Sequence, residues 1–247
     1  MFRTLATSAL ALALALPASA LDLSNLSAEE RAIFREEIRT YLLDNPEIIM
    51  EAVGVLEARE AAAQAQADLN LVSDNAAELF DDGFSFVGGN PDGDITLVEF
   101  LDYRCGFCKR AHGEVAKMLE TDGKIRLIVK EFPILGEQSL LASRFAVATK
   151  QVAGPDAYKG LNDALMTMNG DVNMRSLRRM ASTFGLDADA IEARMDSPEV
   201  TEEIRRTRAL AQRLQITGTP TFVLQDELLR GFLPYDEMMA LVAEKRG

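Results

Sequence analysis

The sequence predicts an α/β fold: a strand–helix–strand unit and a closing hairpin build one sheet, a block of helices is inserted between them, and a helical arm stands in front. Three observations carry that expectation. Residues 95–101 and 125–130 are strand-like runs separated by a helix-length segment, residues 137–214 repeat apolar side chains at helical spacing without a strand signal, and residues 221–230 read as two short strands around a turn.

The chain opens with one cation, Arg3, an apolar run from Leu5 to Leu16, and Pro17-Ala18-Ser19-Ala20. That order is a secretory signal peptide over residues 1–20, with Ala18 and Ala20 at the positions a signal peptidase needs and Leu21 as the first mature residue. The run is too short to span a bilayer, and later hydrophobic stretches are interrupted by charge. A soluble, periplasmic protein is therefore expected.

Ser27-Ala28-Glu29-Glu30 reads as a capping box, after which Ile33, Phe34, Ile38, Tyr41 and Leu42 recur at helical spacing. Asp44-Asn45-Pro46 ends this helix and starts another, with Asn45 as its cap. The second helix carries Ile48, Ile49, Ala52, Val53, Val55 and Leu56, then turns into the polar, Ala-rich run Glu57–Asp68, which cannot bury itself in a monomer core. Residues 21–80 are thus either a helical pair packed on the main domain or an arm through which identical chains associate. The turn cluster Gly88–Gly93 marks the boundary between an arm at 21–88 and a main domain at 89–247, with Gly83 as a second hinge.

The main sheet then begins with Ile95–Leu101, a helix to about Leu119 and Ile125–Lys130. A connection of this length makes a βαβ unit with parallel strands. In the helical block, Asp187 and Ser197-Pro198 look like helix starts. Thr221–Leu224 and Glu227–Arg230 turn at Gln225-Asp226, and a last helix runs from about Tyr235 to Glu244. A βαβ unit, a helical insertion at about 137–214, a hairpin and a helix together make a thioredoxin-like fold with a helical domain inserted, preceded by an N-terminal helical arm.

A net charge of −13, which becomes −14 once Arg3 leaves with residues 1–20, argues against a nucleic-acid partner. The two cysteines stand in Cys105-Gly106-Phe107-Cys108. A ring that small contributes little stability, so the pair calls for a chemical explanation. At a strand-to-helix junction the Cys105 sulfur lies beside unpaired backbone N–H groups and the positive helix end, the setting that favours a thiolate, and Cys108 follows one turn in, close enough to attack. Arg104, Lys109 and Arg110 form a basic patch around the pair, or simply ordinary solvated surface. Structural zinc needs about four ligands, whereas the chain has one histidine, His112, and no second cysteine pair. No metal site and no cofactor is expected, although two thiolates could hold Cu(I). Met166, Met168, Met238 and Met239 read as core filling, and His112 as a surface or packing residue.

Phe100–Lys109, Glu131–Gly136 and Thr217–Phe222, in that order, resemble the DsbA-type family of periplasmic thiol–disulfide oxidoreductases over about residues 90–245. The segment Tyr41–Ala52 resembles the region preceding the catalytic domain in ScsC-like members, a subgroup associated with copper tolerance, some of which oligomerise and act as disulfide isomerases. The resemblance implies Cys105 as nucleophile, Cys108 as resolving thiol, and Glu99 as a buried acid that shuttles a proton to Cys108. A strand carboxylate facing outward is the alternative for Glu99. It also implies a cis peptide at Thr219-Pro220 facing the cysteines. The implied partners are cysteine-containing exported proteins, a membrane redox partner that resets the thiols, and a second copy of the chain through residues 21–80. Gly106-Phe107 lacks the histidine of the most oxidising members, which implies a milder redox poise. With Thr219 it tilts the reading toward isomerase or reductase-like action. A dithiol oxidase, a Cu(I)-binding copper-tolerance protein and a peptide-binding chaperone remain the alternatives.

Overall fold

A computed structural model describes residues 25–247; the signal-peptide reading of residues 1–20 lies outside them. The chain divides into two compact units, one holding the described residues up to Arg59 and the other Glu60–Gly247.

In the first unit α1 (Ala28–Asp44) starts with the capping box read from the sequence: Ser27 Oγ accepts from Glu30 N–H, and the Glu30 carboxylate accepts from the Ser27 N–H at 2.9 Å. None of its side chains is buried. Asn45 differs from expectation. Its side-chain amide donates to the Tyr41 carbonyl at 2.9 Å, so it closes the end of α1 rather than opening the next helix. That helix, α2 (Glu47–Asp74), continues into the second unit. Residues 57–67 are exposed, as their polar, Ala-rich composition requires. Asp68 and Val72 are buried where the helix reaches the core of the second unit, and Asp68 is paired there with Arg230 at 2.9 Å.

The second unit is built on a five-stranded sheet ordered β1-β3-β2-β4-β5, from β1 (Phe86–Gly89), β2 (Ile95–Leu101), β3 (Ile125–Glu131), β4 (Thr221–Leu224) and β5 (Glu227–Arg230). β2 and β3 are parallel, with Leu97 opposite Leu127 and Leu101 opposite Glu131, and the other pairs are antiparallel. The strand β1 was not read from the sequence. Only four residues long and ending in two glycines, it carries little of the β-branched signal that marks a strand.

Successive side chains of β2 and β3 point to opposite faces, so the sheet divides two cores. Ile95, Leu97, Leu101, Ile125 and Val129 face α4 (Gly106–Asp122), α10 (Tyr235–Arg246) and the inserted block of α5 (Glu137–Ala153), α6 (Pro155–Thr167), α7 (Met174–Thr183), α8 (Ala188–Met195) and α9 (Pro198–Arg213). Val98, Phe100 and Ile128 face Val72, Leu79 of α3 (Ala76–Phe80) and Leu210. Asp187 and Ser197 cap α8 and α9 as read, and Met166 and Met238 fill the first core. The second core closes over Lys130, which is 1% exposed and meets Asp82 at 2.6 Å.

Candidate active site

The strand β2 ends at Leu101, and Asp102 makes the turn into α4. Its fully buried carboxylate accepts from the backbone N–H groups of Arg104 at 2.7 Å, Ile134 at 2.8 Å and Leu135 at 3.0 Å. Its carbonyl accepts from the Cys105 N–H at 3.0 Å. One side chain thus fixes both the entry to the cysteine turn and the loop after β3, a role the sequence reading did not assign to it.

Cys105 is the N-cap residue of α4, and no side chain caps the helix. It is 7% exposed, whereas Cys108, one turn in, is fully buried. Both thiols are free, and the Cys105 Sγ donates to the Thr219 carbonyl at 3.1 Å. The Thr219-Pro220 peptide is cis and faces the cysteine turn, as expected. Burial pushes the Cys108 thiol well above its ordinary range; the backbone at Asp102 and the Thr219 hydroxyl oppose that shift, and the charges of Cys105 and Glu99 add to it.

Glu99 does not face outward. It lies on the same face of β2 as Leu97 and Leu101, is 3% exposed, and its Oε1 has no hydrogen-bond partner. Burial, and then the neighbouring Glu131, push it up to about 8, so it carries a proton at neutral pH. It also lines a cleft of about 750 Å³ between α4, α6 and β1, where His112 and Lys159 stand too. There His112 Nε2 is 3.2 Å from Asp163 Oδ1, a polar contact with α6 and not one with the cysteines.

The basic patch is engaged in packing. Arg104 donates to the Gly170 carbonyl at 2.6 Å and Lys109 to that of Met168, tying the start of α4 to the loop after α6. Arg110 stacks 4.2 Å over Phe107, which is 53% exposed between the two cysteines. The structure therefore brings all five residues singled out, Cys105, Cys108, Glu99, Thr219 and Pro220, into one neighbourhood. Reasoning from sequence missed a buried cluster beside them: Glu131 Oε1 accepts from the hydroxyls of Tyr103 and Tyr158, each at 2.6 Å, and Asn162 donates to Tyr103 at 3.0 Å. The signal was available in Lys130-Glu131, two charges at the end of an apolar strand.

A dithiol at a helix start, facing a cis-proline loop on a thioredoxin-like sheet with an inserted helical block, defines the class as thiol–disulfide exchange proteins. A family model described as "DSBA-like thioredoxin domain" matches residues 96–243, and one described as "Copper resistance protein ScsC N-terminal domain" matches residues 30–63. This chain belongs to the DsbA-like thiol–disulfide oxidoreductase family.

Among solved structures, a thioredoxin-like oxidoreductase from Silicibacter pomeroyi DSS-3 is 41% identical, with a TM-score of 0.65 over 69% of this chain and 96% of that one. BcfH of Salmonella enterica Typhimurium is 25% identical, with a TM-score of 0.73 over 89% of this chain and 97% of its own. The Na(+)/H(+) antiporter NhaA of Herminiimonas arsenicoxydans is 28% identical over 163 residues, which are 65% of this chain and 26% of that protein. This chain thus spans about a quarter of the length of that curated relative.

Proposed function

We propose that this protein catalyses thiol–disulfide exchange on exported, cysteine-containing proteins in the periplasm, with isomerase or reductase-like action ahead of dithiol oxidation. The observation that carries the reading is the asymmetry of the cysteine pair. Cys105 keeps 7% of its surface accessible beside the Thr219 carbonyl, while Cys108 is fully buried. The Cys105 thiolate attacks a substrate disulfide, forming a mixed disulfide and releasing one substrate thiolate. In the reductive direction Cys108 passes its proton to Glu99 in its ionised form, whose share grows as pH rises toward about 8, and attacks Cys105 Sγ; the Cys105–Cys108 bond forms and the second substrate thiolate leaves. In isomerisation a substrate thiolate attacks instead and Cys105 is regenerated. Backbone groups of Thr219 pair with the substrate chain during these steps.

Two features favour isomerisation. Phe107 offers no hydrogen-bond donor to Cys105, and residues 33–56 of the arm present exposed apolar side chains that suit association of identical chains, setting several dithiols around one substrate. A membrane redox partner keeps Cys105 reduced. The test is refolding of a scrambled disulfide protein. The full chain restores native pairing, Cys105→Ser abolishes it, and Cys108→Ser retains part; absence of activity in the reduced full chain overturns the reading. A copper role has one observation in its favour, the match of residues 30–63 to a domain named for copper resistance. It requires tight Cu(I) binding that vanishes in Cys105→Ser, together with no redox turnover.

A further inference from the structure

β2 and β3 place two carboxyls side by side on the face that carries Cys108. In the parallel register Glu99 stands opposite Val129 and Leu101 opposite Glu131, so the two acids are separated by one residue pair of the same face. Both are buried, at 3% and 6% exposure, and each keeps one oxygen without a hydrogen-bond partner, Glu99 Oε1 and Glu131 Oε2. Their surroundings differ. Glu131 receives the hydroxyls of Tyr103 and Tyr158. Glu99 has a second carboxyl as its charged neighbour.

The groups facing the pair come from each packed element. From α4 they are Cys108 and, across the cleft, His112; from α6, Tyr158 and Asn162; from α5, Ser143 and Lys150. Lys150 is itself committed to Glu203 at 2.8 Å. Hydrogen bonds to a carboxylate favour its charged form, and a like charge nearby disfavours ionisation of its neighbour. Of the two acids Glu131, held by two hydroxyl donors, is therefore the one that ionises more readily, and its charge adds to the burial that raises Glu99.

We propose that Glu131 is a positioning residue for the exchange reaction: its buried carboxylate, held by Tyr103 and Tyr158, sets how strongly Glu99 holds a proton and thereby the pH range over which Cys108 is activated. This rests on the proposed proton route from Cys108 to Glu99. In that step the Cys108 S–H bond breaks, the proton passes to a Glu99 carboxylate oxygen, and the sulfur electron pair attacks Cys105 Sγ. With Glu131 ionised, the Glu99 carboxylate is the stronger base.

The experiment follows glutamate side-chain carboxyl carbons by ¹³C NMR across pH in the reduced full-length protein, alongside the rate at which Cys108 resolves a mixed disulfide on Cys105. Glu131→Gln is expected to lower the Glu99 midpoint by about one pH unit, the coupling at which two acids titrate as a pair. The corresponding limb of the resolution rate moves in parallel. Tyr103→Phe removes one donor, keeps Glu131 protonated to higher pH and moves both readouts the same way by less; it carries the test if Glu131→Gln does not fold. A Glu99 midpoint unmoved in the folded variants overturns the role of Glu131. A resolution limb that persists in Glu99→Gln overturns the proton route itself, while the NMR midpoints still report whether the two acids are coupled.

Discussion

A carboxyl with no charged partner in a core leaves a thermodynamic signature that is absent from the reaction. Glu99 is raised from an ordinary value of 4.5 to about 8, first by burial and then by Glu131. Its folded form therefore binds more protons than its unfolded form between those limits, and stability falls as pH rises from about 4.5 to about 8, levelling above. Replacing it with an uncharged isostere removes that contribution. Urea unfolding at pH 5, 6, 7 and 8 should show Glu99→Gln losing less stability than the parent, by up to about 1.4 kcal/mol per pH unit within the window. Parallel curves would mean that the folded carboxyl is solvated. Of this neighbourhood, Cys105, Cys108, Glu99, Thr219 and Pro220 were legible because motif spacing names them. Asp102 and Glu131 were not: what they do depends on contacts 27 to 33 residues away, between Asp102 and Ile134 or Leu135 and between Glu131 and Tyr103 or Tyr158. The charges of Lys130-Glu131 in an apolar strand mark the place, but no local pattern records the partners.

Elements with strong periodicity were readable to within a few residues. β2, β4, β5 and the caps of α1, α8 and α9 coincide with what alternation and capping chemistry predict. β1 fails that test because its function in the fold is carried by absent side chains. Gly89 adopts φ +65, and a Cβ there would stand 2.4 Å from the Ile125 carbonyl oxygen; at Gly93 it would stand 2.5 Å from that of Lys124. The cluster read as a turn from its glycines is thus a turn whose flank also pairs edge-on with β3, with Phe86 opposite Val129. Gly89→Ala, which meets both backbone strain and a backbone clash, is expected to cost about 2–4 kcal/mol, seen as a lowered thermal midpoint. A change under about 0.5 kcal/mol would show that β1 repositions freely.

For the whole molecule, the division within α2 changes how the arm should be probed. Ile33, Phe34, Ile38 and Tyr41 on α1, and Ile49, Met50, Val55 and Leu56 on α2, are exposed apolar side chains. Exposed large apolar side chains in this number favour association. Cutting at residue 80 would also remove Val72 and Leu79 from the second core and Asp68 from Arg230. A chain beginning at Glu60 keeps those contacts. Light scattering should report a homo-oligomer for the chain from Leu21 and a monomer for the chain from Glu60, and a monomeric longer chain would remove the association arm from the proposed function. Among the described residues no helix is long and apolar enough to cross a membrane.

The lone histidine has a use that its modest chemistry does not suggest. His112 shares the cleft between α4, α6 and β1 with Glu99, and burial holds it below its ordinary range, with Lys159 adding to that shift and Asp163 opposing it. A single imidazole means a single pair of carbon-bound ring proton resonances, readable in unlabelled protein without assignment. Evolution has left the fold a built-in spectroscopic observer, whose chemical shift registers a change of charge at the buried acids or the arrival of a small molecule in the cleft.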